Sequence, residues 1–219
     1  PYYFNILSNF YFLIYYYKML AEILEIFSRS FIFYFVVIDP LGTVAIFLTL
    51  LQRIKENKNK IAIEATLLAF LVLVFFFIMG KIILNHLNIS LYSFKIAGGI
   101  ILLLISIEML LDKRSARKEK SIQSKIISTS IFPLAIPLLA GPAAITSVIV
   151  SSSTTSGNLI GTLAHIISIF TVLLITCLLF LLIIRSEKFI SKKLLQVLSR
   201  IIGIILAALS VQFILDGLR

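Results

Sequence analysis

The stretch Ile38-Asp39-Pro40-Leu41-Gly42-Thr43 sits near the middle of an otherwise apolar run, residues 30–51. As a helix that run is roughly 33 Å long, enough to cross the hydrocarbon core of a bilayer. Asp39 then falls near mid-depth, where an ionised side chain costs roughly 2.5–3.5 kcal/mol on insertion scales. Pro40 removes a backbone donor and clashes with the preceding turn, and Gly42 loosens the backbone further. In a soluble chain Asp-Pro-x-Gly is an ordinary turn. Inside a membrane span it is a helix break, tolerated only where protein or a wet cavity surrounds it. The segment is the first candidate for a functional site.

Composition agrees with a membrane setting. Of 219 residues 60% are hydrophobic and only 14% charged, with a mean hydropathy of +1.09. Soluble domains run nearer about 45–50% apolar and about 25% charged, so the chain reads as an integral membrane protein. The net charge of +10 would suggest a nucleic-acid partner in a soluble protein. Here the basic residues fall in short connections between apolar runs, and no nucleic acid is expected. The single cysteine, Cys177, lies inside an apolar run; it excludes an intrachain disulfide and argues against a thiolate metal site. No metal or other cofactor is expected. Nor is enzyme chemistry, since no nucleotide-binding loop, zincin motif or nucleophile elbow is present.

Apolar runs follow one another at 30–51, 61–84, 91–111, 126–150, 159–184 and 201–216. None shows the strict alternation of a barrel strand, so all six are expected to be helices. The connections carry the orientation. Arg53, Lys55, Lys58 and Lys60 lie between the first two runs, and Lys113, Arg114, Arg117, Lys118, Lys120 and Lys125 between the third and fourth. Arg185, Lys188, Lys192, Lys193 and Arg200 lie between the fifth and sixth, so fifteen of the 20 basic residues share one side. The positive-inside rule makes that side cytoplasmic and sends both termini outward. Residues 1–18 are aromatic and lack a cleavage pattern; they are expected to be an N-terminal extension or an interfacial segment, with Met19 a candidate start.

The chain also repeats itself. Gly99, Ser106, Glu108 and Asp112 in the third run match Gly203, Ser210, Gln212 and Asp216 in the sixth at a constant offset of 104. Ala140-Gly141-Pro142-Ala143-Ala144-Ile145-Thr146, in the fourth run, stands at nearly the same offset from the Asp39-Pro40 break. Three spans per repeat is an odd number, so the second repeat must enter from the opposite side. Such inverted repeats bring discontinuous helices together at mid-depth and aim half-helix N-termini at substrate.

At these residues the chain resembles the MarC family of six-span bacterial inner-membrane proteins, related to neutral amino acid transporters. The resemblance covers roughly residues 19–218 and rests on Ile38-Asp39-Pro40-Leu41-Gly42, Phe94-Lys95-Ile96-Ala97-Gly98-Gly99-Ile100, residues 133–142 and residues 211–217. It implies a transporter, with neutral amino acids as the substrate class. Three positions depart from the family pattern: Thr43 where asparagine is common, Ala45 where proline is common, and Ala143 in place of a third glycine after Gly141-Pro142. Ala143 restricts positive φ, which predicts a tighter second break.

The individual residues have bland readings beside the functional ones. Asp39 before a proline is a standard helix N-cap, and can also serve a substrate amine or a coupling cation. Thr43, Thr146 and Ser147 either offer hydroxyls to the same site or bond back to helix carbonyls. Gly98, Gly99 and Gly203 read as close helix-packing positions. His165, inside a span, reads first as a satisfied hydrogen-bonding group and second as a proton relay. Glu108, Asp112, Gln212 and Asp216 read as interfacial anchors, and Glu64 as an ion-pair partner of Lys60.

The expectation is thus an all-α polytopic bundle of six transmembrane helices, residues 19–219, made of two inverted three-helix repeats at about 30–111 and 126–216. The first and fourth helices are broken. The substrate-binding set is Asp39, Pro40, Gly42, Thr43, Gly141, Pro142, Ala143, Thr146 and Ser147. The partners are a small-molecule solute, the lipid bilayer and a coupling proton or Na+, with a homo-oligomer as a further expectation. A channel and a non-transporting structural protein are the competing classes.

Overall fold

The computed structural model describes residues 2–51, 57–111, 138–155, 157–185 and 192–219, with the backbone alone for 2–16, 49–51 and 192. Seven helices account for almost all of them: α1 (Tyr2–Ile38), α2 (Pro40–Leu51), α3 (Lys58–His86), α4 (Leu91–Leu110), α5 (Pro142–Thr154), α6 (Leu159–Arg185) and α7 (Lys192–Leu218). No strand occurs among the described residues. Five segments are long and apolar enough to cross a membrane: Tyr17–Leu48, which joins α1 to α2, then Lys58–His86, Leu91–Leu110, Leu159–Arg185 and Lys193–Leu218. The fourth apolar run is described only from residue 138 onward. Its first part, Asp112 and the basic residues 113–125 lie outside the described residues, as do Arg53, Lys55 and Lys188.

The first helix begins well before residue 30, where hydropathy alone places the start of the run. Charges at Glu22, Glu25 and Arg29 hide the continuation from a hydropathy reading. They do not interrupt the helix. Glu25 and Arg29 meet at 2.7 Å one turn apart, a spacing that supports helix. Lys60 and Glu64 make the same kind of pair at 3.8 Å on α3. Local chemistry also sets the starts: the Ser90 hydroxyl caps α4 by accepting from the Ser93 N–H, and the Asn158 side-chain Oδ1 accepts from the Gly161 N–H at the start of α6.

Packing sorts the residues of each helix. On α3, Ala62, Ala65, Ala69, Leu73 and Phe77 are buried, while Leu67, Leu71, Phe75 and Ile78 are exposed. The exposed stripe is as apolar as the buried one, which suits a helix with lipid on its outer side. The helix α4 lies antiparallel against α7. Gly99 faces the Ser210 carbonyl and Ile214, Gly203 faces Met109 and the Ser106 carbonyl, and Gly217 faces Ile96 and the Tyr92 carbonyl. Absence of a side chain at these positions lets the two backbones approach closely.

The pairing of the remaining helices is reciprocal. α2 packs on α6 and α7, whereas α5 packs on α3 and α4. Phe47 of α2 stacks on Phe180 of α6 with ring centroids 4.2 Å apart. On the other side, Gly80 of α3 receives Ile149 of α5, and Gly98 of α4 receives Thr146. One apolar core runs through both sets and contains the residues flanking each break, Val37 and Ile38 with Val44, and Leu139 and Ala140 with Ala143.

Candidate functional site

The Asp39 carboxylate is the most deeply placed charged group of the first span, 1% exposed. Asp39 is itself the break: it stands alone between α1 and α2 with φ at 53°, a left-handed conformation uncommon outside glycine but several-fold enriched in aspartate. In that conformation it closes one helix and opens the next. Its N–H still bonds the Phe35 carbonyl at 3.0 Å, and its own carbonyl accepts from Thr43 N–H at 2.9 Å. Its Oδ1 accepts from the Gly42 N–H at 3.1 Å, the geometry of an N-cap. Its Oδ2 accepts from the hydroxyl of Ser199, on α7, at 2.7 Å.

Neighbouring residues complete this arrangement. Pro40 lacks an N–H and the Gly42 N–H turns to the Asp39 carboxylate, so the Val36 and Ile38 carbonyls at the end of α1 lose their helical donors. The Thr43 hydroxyl donates to one of them, that of Ile38, at 3.2 Å. Gly42 is required by space as well as by flexibility: a Cβ there would run into the Asp39 carboxylate and the Ser199 hydroxyl. A side chain at 42 would therefore force the acid off its cap.

The second break is built differently. Gly141 caps α5 with extended backbone, φ −74° and ψ 173°, and offers no side-chain bond; Pro142 takes the first helical position. Ala143 lies in ordinary helix, so the alanine there imposes no strain and does not tighten the break. The left-handed position belongs to Asp39 instead. Pro142 is exposed, Gly141 is half-buried, and Ala143 and Thr146 are buried. Ser147 is fully buried, and its Oγ has no hydrogen-bond partner among the described residues.

The structure thus gathers Asp39, Gly42 and Thr43 into one hydrogen-bonded unit with Ser199, beside Pro40 at the start of α2. It sets Thr146 against Gly98 as a packing contact.

A second polar group lies just N-terminal to the first break. The Tyr34 hydroxyl is hydrogen-bonded to His165 Nδ1 at 3.0 Å, and Ser30 Oγ lies 3.5 Å from Nε2 of the same ring. His165 thus has partners on both nitrogens, and Phe77 packs beside it with centroids 5.6 Å apart. Tyr34 is buried at 1% exposure and stands five residues before Asp39, about 7.5 Å along the helix axis. Ser30 and His165 also line a cavity of about 330 Å³, into which α1, α4, α5, α6 and α7 all contribute.

Sequence reasoning found His165 but not Tyr34, Ser30 or Ser199. Ser199 lies 160 positions from Asp39, just before the sixth apolar run begins, and nothing local marks it.

These features define a multi-pass helical integral membrane protein with a broken span and a buried carboxylate at the break. The chain belongs to the MarC family: the model described as MarC family integral membrane protein matches residues 24–219. Its relatives include a UPF0056 membrane protein of Archaeoglobus fulgidus, 36% identical over 91% of this chain and 95% of its own length. Another, from Methanocaldococcus jannaschii, is 35% identical over 90% and 97%, and one from Aquifex aeolicus is 31% identical over 89% and 92%. No solved structure matches the chain.

Proposed function

We propose that this protein is a secondary transporter of small neutral amino acids, with six spans in two inverted repeats and no enzymatic step. The observation that carries the reading is the Asp39 break: a carboxylate inside a span, ringed by the Gly42 N–H, the Ser199 hydroxyl and the start of α2. An intramembrane acid of this kind is by default a functional group, and a broken span is the usual way for a transporter to hold ligand at mid-depth. Asp39 is assigned the substrate amine or the coupling cation, a proton or Na+. The α5 N-terminus after Gly141 is assigned the substrate carboxylate.

Reciprocal packing supports the repeat. Shifting the contact of Gly99 with Ser210 and Ile214 by the sequence offset of 104 gives the contact of Gly203 with Ser106 and Leu110, and both contacts exist. The Ser106 and Ser210 hydroxyls donate to the equivalent carbonyls of Leu103 and Ala207. Pairing of α2 with α6 and α7 likewise mirrors that of α5 with α3 and α4. Rocking of one repeat against the other would then alternate access. The membrane is assigned as the bacterial inner membrane with both termini periplasmic.

Uptake of radiolabelled alanine, serine and leucine into proteoliposomes tests the reading. Saturable uptake driven by a proton or Na+ gradient is expected. Unsaturable flux indifferent to either gradient would indicate a channel, and no flux of any small neutral amino acid would remove the substrate class.

A further inference from the structure

The cavity above Tyr34 contains charges that the break does not use. Lys95, on the second turn of α4, lines it and is partly buried. Among the described residues its ammonium has no ion-pair partner within 4 Å. Asp216, near the end of α7, lines the same cavity and accepts a hydrogen bond from Gln212 at 2.7 Å. Lys95 and Asp216 thus share one space without closing on each other, and Arg29, the third charged residue lining it, is held by Glu25 at 2.7 Å. Gly217 explains how Lys95 and Asp216 come together, since it brings the α7 backbone against Ile96, the residue after Lys95.

The surroundings polarise the space in the same sense. Lys95 belongs to the N-terminal part of α4, where the helix dipole favours an anion. Asp216 and Thr154 belong to the C-terminal ends of α7 and α5, where a cation is favoured. Phe33, Val150 and Phe213 supply apolar wall, while Ser30 and His165 supply polar contacts. At about 330 Å³ the cavity stands at the small end of ligand sites.

The geometry points to this cavity as an outer recognition site for the zwitterion of a small amino acid, its carboxylate on Lys95 and its ammonium toward Asp216. The proposal takes its ligand class from the transport reading, and adds a site distinct from the break. The anion on Lys95 could in chemical terms be a carboxylate or a phosphate, free or on a lipid headgroup. The negative Asp216 and two helix C-termini lining the same cavity favour the zwitterion.

Equilibrium binding to the purified full chain in detergent tests this without requiring transport. Wild type is expected to bind alanine saturably and alaninamide, which lacks the carboxylate, about tenfold or more weakly, the loss of one charge-assisted contact. Lys95→Met should weaken alanine by a similar factor and leave alaninamide unchanged, while Lys95→Arg stays within about threefold of wild type. Thermal melting of each variant reports whether it folds. Should Lys95→Met not fold, the wild-type comparison of alanine with alaninamide decides.

Equal binding of the two ligands by wild type, alanine binding unaltered in a folded Lys95→Met, or no amino acid binding at all each overturns the site. So does Lys95-dependent binding of inorganic phosphate or glycerol phosphate in place of alanine. Uptake that persists while the Lys95 dependence fails sinks the site alone. Lys95-dependent binding without uptake sinks the transport reading alone.

Discussion

Asp39 joins three demands in one residue: a left-handed backbone, an N-cap and a bond to a distant helix. Asparagine meets the first two as well as aspartate does, and its amide can pair with a rotated Ser199 hydroxyl. Asp39→Asn should therefore cost no more than about 1 kcal/mol of stability. Leucine meets none of the three. It loses the cap, adopts φ near 53° at a steric cost, and leaves the Gly42 N–H and Ser199 hydroxyl unpaired in the interior. A loss of about 2–4 kcal/mol is expected for Asp39→Leu, read as a lower melting temperature in detergent. If the negative charge serves coupling or substrate, uptake falls in Asp39→Asn even though the protein remains folded; unchanged uptake would leave Asp39 a structural cap.

At the scale of elements, the α4–α7 contact is the tightest backbone approach described. A Cβ at Gly99 would lie 2.8 Å from the Ser210 carbonyl oxygen, and one at Gly217 would lie 2.8 Å from that of Tyr92. A Cβ at Gly203 meets the Met109 Cβ at 3.0 Å but keeps 3.6 Å from the nearest backbone oxygen. Backbone cannot step aside as a side chain can, so the helices themselves must part. Gly99→Ala and Gly217→Ala are expected to cost about 1–3 kcal/mol each, and Gly203→Ala less. Melting temperatures of the three variants check the order; an equal or larger effect at Gly203 would contradict it. The glycines of the third and sixth runs were legible as packing positions from their repeat. The partner of each became visible only once the two helices were placed antiparallel.

For the whole molecule, the positive-inside rule predicts which membrane face the basic connections occupy, and α3 links the two faces. Asn59 stands exposed at its basic end and Leu87 exposed just past the other. With Cys177 replaced by serine, Leu87→Cys is expected to react with a membrane-impermeant maleimide in intact cells, and Asn59→Cys only after the membrane is opened. The reverse pattern would invert the topology and place the Lys95 cavity on the cytoplasmic side.

The membrane class, the helical runs and the break at Asp39-Pro40 follow from the sequence by itself, because each depends on residues a few positions apart. Hydropathy over some twenty residues sets a span, and a proline with an acid before it interrupts a helix wherever it lies. The repeat at an offset of 104 is equally a property of the linear chain. Three things only the tertiary structure decided: that Ser199 holds the Asp39 carboxylate, that Tyr34 and Ser30 hold His165, and that Lys95 and Asp216 line one cavity. Each joins residues more than a hundred positions apart. Hydrogen bonds and shared cavities depend on distance in space, and no local pattern in the chain encodes that distance.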